Sequence, residues 1–184
     1  MKIIKTPLPG LVIIEPRVFE DDRGYFFETF HQERYIEAGI SEPFIQDNES
    51  KSARGVIRGL HYQIGDYSQA KLVRVVRGSV YDVALDLRKD SPTFGKWFGI
   101  ELNEKNKKQL FVPRGFAHGF SVLSKISIFS YKCDNLYNKE AERSINPFDA
   151  MLGIDWKLAD TEQIVSEKDR LAPTFENAEM NFVF

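Results

Sequence analysis

Apolar and polar residues alternate along most of this 184-residue chain, and the alternation weakens after residue 141. A period of two is typical of strands with one buried face. The pattern is clearest over residues 80–87, where the odd positions place four apolar side chains on one face. Asp82 and Asp86 lie on the other face. This pattern predicts that the chain is built mainly of β-strands.

The turn-forming residues between the apolar runs divide the pattern into short segments. The turn at Arg77-Gly78-Ser79 predicts a hairpin between two of them. Helical turns are predicted at residues 31–38, 147–151 and 160–165. Strands are predicted at residues 11–15, 25–30, 45–50, 56–63, 71–76, 79–87, 98–102, 109–112, 119–123 and 126–133. Ten short strands favour an all-β sandwich, jelly roll or barrel. The chain shows no repeat or linker, so we expect a single domain over residues 1–184.

Composition and charge narrow the classes of function. The net charge is −2 and no long basic run occurs, so we expect no binding to nucleic acid. The single cysteine, Cys133, excludes an intrachain disulfide and suits a reducing compartment, where it is expected to be a small packing residue. The N-terminal residues do not resemble a signal peptide, and no apolar stretch reaches the roughly 20 residues that span a bilayer. We therefore expect a cytoplasmic protein without a membrane partner.

Of the three histidines, His61 lies in a predicted strand three residues after a cation, Arg58. Strict alternation places these two side chains on opposite faces. A bulge at Gly59 between them would bring both towards one pocket. A strand histidine is also often structural.

His118 follows the segment Pro113-Arg114-Gly115-Phe116-Ala117, a pattern similar to the second motif of the cupin superfamily. In that motif a histidine points into the barrel. Metal-binding cupins add a His-x-His motif, but Tyr62 and Gln63 follow His61 here. Because a transition metal needs three or four converging ligands, we expect no metal.

A pocket without a metal can still perform acid–base chemistry if it holds a base, an orienting carboxylate, an acid and a cation. The candidates are His61 as base, Asp169 as its carboxylate, Tyr131 as acid, and Lys71 with Arg58 as cations. Each has a structural alternative when taken alone: a loop charge for Asp169, a core aromatic for Tyr131 and a strand end for Lys71.

Many ordered segments are similar to the dTDP-4-dehydrorhamnose 3,5-epimerase family over nearly the whole chain. They are residues 22–28, 46–50, 55–63, 69–78, 82–88, 91–97, 112–120, 131–133 and 166–169. The resemblance implies a cupin-type double-stranded β-helix, or jelly roll, with a few short helices. It also implies a homodimer without a cofactor, and a dTDP-4-keto-6-deoxy sugar as substrate.

The resemblance also implies roles for individual residues. His61 matches the general base, Asp169 its partner, Tyr131 the general acid and Lys71 the lysine near the keto oxygen. Five positions match residues that hold the nucleotide diphosphate: Arg23, Glu28, Gln46, Asn48 and Arg58, of which the first two reach a neighbouring subunit's site. Tyr137 matches the aromatic residue that stacks on thymine. Further ligand contacts are implied at His118, Glu142 and Lys168.

The chain departs from the family pattern at two places beside the expected sugar pocket. The loop at residues 64–68 lacks the frequent Pro-Pro, and Asp134 replaces a frequent Ser or Thr. The sequence therefore does not decide which sugar is processed. It also does not decide whether the enzyme inverts both C3 and C5 or only one of them. A 3,4-ketoisomerase of dTDP sugars, a non-catalytic sugar-nucleotide-binding cupin and a metal-dependent oxygenase are the other readings.

Overall fold

The computed structural model describes residues 1–184 and contains fourteen β-strands and two short α-helices. The helices are α1 (Gln32–Glu37) and α2 (Glu167–Arg170). The strands are β1 (Lys2–Lys5), β2 (Val12–Glu15), β3 (Phe19–Asp21), β4 (Gly24–Phe26), β5 (Gln46–Ala53), β6 (Val56–Gln63), β7 (Lys71–Arg77), β8 (Ser79–Asp86), β9 (Trp97–Asn103), β10 (Gln109–Val112), β11 (Phe116–Val122), β12 (Ile126–Cys133), β13 (Glu142–Ser144) and β14 (Ile164–Val165).

Two six-stranded sheets form the body of the protein. The first has the order β1-β2-β10-β7-β12-β5, and the second has the order β13-β6-β11-β8-β9 with β14 parallel to β6. All other pairs are antiparallel. From β5 to β8, and again from β9 to β13, successive strands alternate between the two sheets, as in a jelly roll. The predicted all-β class and jelly-roll architecture are confirmed.

The hydrophobic core lies between the two sheets. Val73 and Phe129 of the first sheet pack against Phe116 and Phe120 of the second, and the rings of Phe120 and Phe129 stack at 4.2 Å. Burial of such large apolar surfaces is the main stabilising contribution to a sandwich.

Strand β8 is buried on both faces. Val80 and Ala84 face the core between the sheets, with Asp82 on the same side. Val83 and Leu85 lie on the outer face of the second sheet, under the C-terminal third of the chain. The alternation in the sequence therefore separates two buried environments.

The predicted hairpin at residues 77–79 is wrong, because β7 and β8 belong to different sheets. Gly78 turns the chain from one sheet to the other with φ of +82°. A Cβ at this position would lie 2.2 Å from the carbonyl oxygen of Ile126. Only glycine fits this close approach.

Strands β6, β10 and β12 and helix α1 confirm the predicted elements closely, but others differ. Of the predicted strand 25–30, only residues 25 and 26 belong to a strand, β4, because its partner β3 offers three residues. Residues 147–151 form turns, in which the Asp149 carboxylate accepts the N–H of Met151. Residues 160–165 contain one 3-10 turn followed by β14.

Neither α-helix combines the length and apolar character that crossing a membrane requires.

Candidate active site

A cavity of about 290 Å³ opens between the two sheets, where polar side chains replace the apolar core. Of its eleven lining residues, seven were predicted site residues: Gln46, Asn48, His61, Lys71, Tyr131, Tyr137 and Glu142. Lys71 and Tyr131 come from the first sheet, whereas His61 comes from the second. The candidate base and the candidate acid therefore approach the cavity from opposite walls.

His61 and Asp169 are 108 residues apart in sequence and form a hydrogen bond of 2.6 Å between Nε2 and Oδ1. Asp169 lies in α2, and the side chain of Ser166 caps this helix by accepting the Asp169 N–H at 3.1 Å. The cap and the docking of α2 beside β6 hold the carboxylate behind the imidazole.

The carboxyl group of Asp169 is only 4% exposed. Its burial alone would oppose ionisation. The hydrogen bond and charge of His61, with the N–H of Gly59 at 3.4 Å and the contact with Ser166, nevertheless hold the pKa of Asp169 below its ordinary value. Asp169 is therefore an anion at neutral pH and favours a proton on Nε2 of His61.

The predicted bulge at Gly59 is confirmed. Between β11 and β6, His118 pairs with His61 but Phe120 pairs with Arg58, so β6 carries one extra residue. Gly59 has φ of +131°, and a Cβ there would lie 2.6 Å from the Cα of Gly119. A side chain at position 59 would therefore push the two strands apart.

Arg58 does not line the cavity itself. Its Nε donates to the hydroxyl of Ser52 at 3.1 Å, and the side chain is exposed. Burial raises the pKa of Tyr131, and the positive charge of Arg58 partly offsets that rise. Arg58 is thus a cation beside the mouth of the site.

Lys71 is the first residue of β7 and points into the cavity. Burial lowers the pKa of Lys71, while the nearby Cys133, Asp82 and Glu142 act to raise it. A desolvated ammonium interacts strongly with a developing negative charge, because little water screens it. Lys71 is therefore suited to stabilise an oxyanion.

Tyr131 lies in β12 and is half-buried. Burial raises the pKa of Tyr131, helped by Cys133 and Glu142 and opposed by Arg58. The phenol therefore keeps its proton at neutral pH and can donate it.

Three charged or aromatic side chains meet at the rim. Lys168 Nζ donates to Glu142 Oε2 at 2.5 Å, and the Tyr137 hydroxyl donates to the same oxygen at 3.2 Å. Gln46 Oε1 accepts the N–H of Tyr137 at 2.9 Å, and Gln46 Nε2 donates to Asn48 at 3.1 Å. These bonds order the rim and leave the ring of Tyr137 55% exposed.

His118 is buried and does not line the cavity. Its Nε2 lies 3.0 Å from both carboxylate oxygens of Asp82. Burial raises the pKa of Asp82, against the effects of His118 and Lys71. The sequence analysis did not identify Asp82 as the partner of His118, because β8 and β11 pair only in the folded sheet.

Arg23 and Glu28 lie outside the cavity. Arg23 extends from the β3–β4 hairpin and pairs with Asp21 at 2.6 Å, and Glu28 pairs with Arg34. Neither side chain belongs to the cavity of its own chain.

Four cavity residues were not predicted as site residues: Tyr62, Gln63, Gln69 and Cys133. Period-two alternation identifies two of them. Gln63 follows His61 by two positions, and Cys133 follows Tyr131 by two positions. Each lies on the same strand face as the predicted residue. Cys133 is buried, as expected of a packing residue, and its thiol forms part of the cavity wall.

No three His, Cys, Asp or Glu side chains converge in a geometry that could hold a metal ion. Two of the three histidines are each engaged by one carboxylate, His61 by Asp169 and His118 by Asp82.

Comparisons with known proteins place this site in a family. Residues 5–177 match the family model described as dTDP-4-dehydrorhamnose 3,5-epimerase. The chain is 50% identical to the dTDP-4-dehydrorhamnose 3,5-epimerase of Shigella flexneri, over 97% of this chain and 98% of that protein.

Two solved structures are similar throughout. The dTDP-4-dehydrorhamnose 3,5-epimerase of Elizabethkingia anophelis has a TM-score of 0.93 and 56% identity, covering 96% of this chain and 97% of the other. The dTDP-6-deoxy-D-glucose-3,5-epimerase of Legionella pneumophila, in complex with dTDP-4-keto-L-rhamnose, has a TM-score of 0.92 and 48% identity, covering 96% and 93%. With identity and coverage this high, the chain belongs to the dTDP-4-dehydrorhamnose 3,5-epimerase family.

Proposed function

We propose that this protein inverts C3 and C5 of a 4-keto-6-deoxy sugar carried on dTDP. One observation carries the proposal: a cavity between the sheets has the His61–Asp169 pair on one wall, with Lys71 and Tyr131 on the other. Simple binding of a sugar nucleotide does not need a base backed by a buried carboxylate. The family and its relatives support the same activity.

The chemistry begins with the ketone at C4, which acidifies the hydrogens at C3 and C5. Removal of either proton gives an enolate whose charge lies on the C4 oxygen. An ammonium at that oxygen lowers the energy of the enolate, most strongly where water is excluded. Lys71 has the position and the burial for this role.

His61 removes the proton. The Asp169 carboxylate keeps a proton on Nε2, which leaves Nδ1 as the basic nitrogen. When His61 becomes an imidazolium, the adjacent anion stabilises its charge.

Tyr131 returns a proton to the opposite face of the ring. Inversion requires that the acid and the base flank the sugar, and the two residues extend from opposite sheets. Burial keeps the phenol protonated until the enolate forms. Before the second round, His61 releases its proton to solvent and Tyr131 takes one up, so that each group is again ready to act. Repetition at the second carbon then inverts both centres.

The nucleotide is expected to lie along the rim. Arg58 and Lys168 provide positive charge for the diphosphate, and arginine binds phosphate oxygens in a bidentate manner. The exposed ring of Tyr137 is available to stack on the thymine.

A homodimer completes this site in the proposal. Arg23 and Glu28 lie outside their own cavity, on or beside a hairpin with exposed aromatic side chains at Phe19, Tyr25 and Phe26. We assign the two residues to the cavity of the second subunit. Co-expression of Arg23→Ala with His61→Ala tests this arrangement. Each variant alone is expected to have little activity. A mixed dimer regains one of its two sites, and because random pairing makes about half of the dimers mixed, the co-expressed sample is expected to have about a quarter of wild-type turnover. No recovery in mixed dimers would contradict the shared site.

The test of the reaction is product configuration. Chelator-treated protein is incubated with dTDP-4-keto-6-deoxyglucose, and NMR determines the configuration at C3 and C5. Inversion at both carbons, absent in His61→Ala, supports the proposal. Inversion at one carbon indicates a single-site epimerase. An unchanged substrate with tight binding indicates a non-catalytic binding protein and refutes the proposal.

A further inference from the structure

Asp134 holds the backbone just before Lys71 in the structure. The carboxylate is 5% exposed. Its Oδ1 accepts the N–H of Ala70 at 2.7 Å, and its own N–H donates to the carbonyl of Ala70 at 3.2 Å. Both backbone polar groups of Ala70, which is fully buried, are therefore satisfied by one residue.

The second carboxylate oxygen is engaged by a cation. Arg114 donates from Nε to Asp134 Oδ2 at 2.7 Å, and about half of the arginine side chain is exposed. A charged hydrogen bond of this length fixes the orientation of the carboxylate. The oxygen that faces Ala70 therefore has little freedom to turn away.

Lys71 depends on this anchor for its direction. It is the last paired residue at its end of β7, opposite Cys133 on β12 and Val112 on β10. The carboxylates near its ammonium are Asp82 and Glu142, which pair with His118 and Lys168, and neither forms an ion pair with Lys71. Its position is thus set by the backbone at Ala70–Lys71 and by the cavity walls.

The loop that precedes Lys71 contacts the residues that follow Asp134. Asn135, the next residue, donates from Nδ2 to the carbonyl of Asp66 at 2.7 Å, and its own carbonyl accepts from Gln69 Nε2 at 2.7 Å. The loop at residues 64–70 and the segment at residues 134–137 therefore hold each other in place. Asp134 lies at the end of this contact that is nearest to Lys71.

We propose that Asp134 is a positioning residue for Lys71. Its carboxylate, oriented by Arg114, fixes the Ala70–Lys71 backbone so that the ammonium points to the keto oxygen of the substrate. The inference rests on the proposed epimerase function. Small displacements of a group that stabilises a transition state have large effects on rate.

The variants separate this role from simple stabilisation of the fold. Asp134→Ala removes the acceptor and is expected to lower kcat about tenfold with KM changed less than about threefold, because Lys71 acts on the enolate. Asp134→Asn keeps an oxygen for the Ala70 N–H but turns its NH2 group towards Nε of Arg114, so it is expected to lower kcat less than Asp134→Ala does. Asp149→Ala is the control, since Asp149 likewise uses both carboxylate oxygens to hold the chain, accepting the backbone N–H groups of Met151 and Phe175, away from the cavity. It is expected to lower Tm and leave kcat unchanged.

The decisive comparison repeats the substitution in a Lys71→Met background. Deuterium exchange at C3 and C5 in D2O, followed by NMR at high enzyme concentration, measures the slow turnover of these proteins. If Asp134 acts through Lys71, Asp134→Ala changes the rate less than about twofold in that background. A tenfold loss in both backgrounds would overturn the proposal, as would wild-type kcat in Asp134→Ala.

If Asp134→Ala does not fold, Asp134→Glu supports the same comparison, because it keeps the charge but moves the carboxylate by one methylene. The epimerase function is tested separately, by deuterium exchange in the wild-type protein and by the loss of that exchange in Lys71→Met. Both of these results can be obtained even if the comparison of Asp134 variants contradicts the positioning role.

Discussion

Replacing Asp169 by asparagine tests the pair behind the candidate base. The substitution keeps the size of the side chain and removes its charge. The asparagine oxygen can still accept from Nε2 of His61. Its NH2 group then faces the N–H of Gly59, a donor that the Asp169 carboxylate accepts at 3.4 Å in the wild-type protein. Asp169→Asn therefore removes the stabilisation of the imidazolium and leaves one donor without an acceptor.

The size of the effect follows from the geometry. With charge centres about 4 Å apart and an effective dielectric constant near 20, the attraction between imidazolium and carboxylate is about 4 kcal/mol. The His61 side chain is 32% exposed, and an amide dipole remains, so about 2–3 kcal/mol of transition-state stabilisation is lost. That loss lowers kcat roughly 30- to 160-fold.

The assay is deuterium incorporation at C3 and C5 with a thermal unfolding curve for each protein. Asp155→Asn serves as control, since its carboxylate pairs with Lys157 at the surface, and it is expected to keep wild-type kcat. An Asp169→Asn protein that folds normally and keeps kcat within about threefold of wild type would refute the role of the pair.

Other properties of the chain give further predictions. Burial lowers the pKa of Lys71, so the ammonium loses its proton at a pH below the ordinary lysine pKa, and kcat is expected to fall as the pH rises through that range. Lys71→Arg is expected to be slower, but because arginine stays charged its pH profile is expected to lack this alkaline fall. The lowered pKa of Asp169 contributes stability that is present above pH ~4 and is lost as pH falls through the folded-state pKa; urea unfolding of Asp169→Asn should therefore depend less on pH in that acid range. Gly59→Ala is expected to cost about 3 kcal/mol or more in unfolding free energy, because its Cβ would meet Gly119 at 2.6 Å, and an unchanged midpoint would contradict the close strand packing. Burial raises the pKa of Cys133 to about 11, so iodoacetamide at pH 8 is expected to alkylate the thiol only after denaturation, as mass spectrometry can show.

Much of the fold was predictable from local pattern. Strands β6, β10 and β12 have the predicted bounds, because alternation and turn residues mark both their ends. The bulge at Gly59 was also predictable, since the spacing of Arg58 and His61 conflicts with strict alternation.

Features that depend on long-range contacts were not predictable in this way. The turn at Gly78 has the residues of a hairpin, but the two strands pair with partners distant in the chain. β14 has only two residues and is extended because it pairs with β6. Helix α2 has four residues and carries Asp169, and its short length leaves no periodic signal.

The candidate site shows the same division. Resemblance to a family identified His61, Lys71, Tyr131 and Asp169, which no local pattern would have grouped. The burial of His118 against Asp82 depends on the pairing of β8 with β11, which only the folded sheet shows.

The most direct test of the proposed mechanism compares Tyr131→Phe with His61→Ala in D2O. NMR would follow both deuterium incorporation and configuration at C3 and C5 of dTDP-4-keto-6-deoxyglucose. If His61 removes the proton and Tyr131 supplies the new one, Tyr131→Phe incorporates deuterium with retained configuration, because the base returns it to the same face. His61→Ala then shows neither exchange nor inversion. Inversion at the wild-type rate in Tyr131→Phe, or exchange at the wild-type rate in His61→Ala, would contradict these assignments.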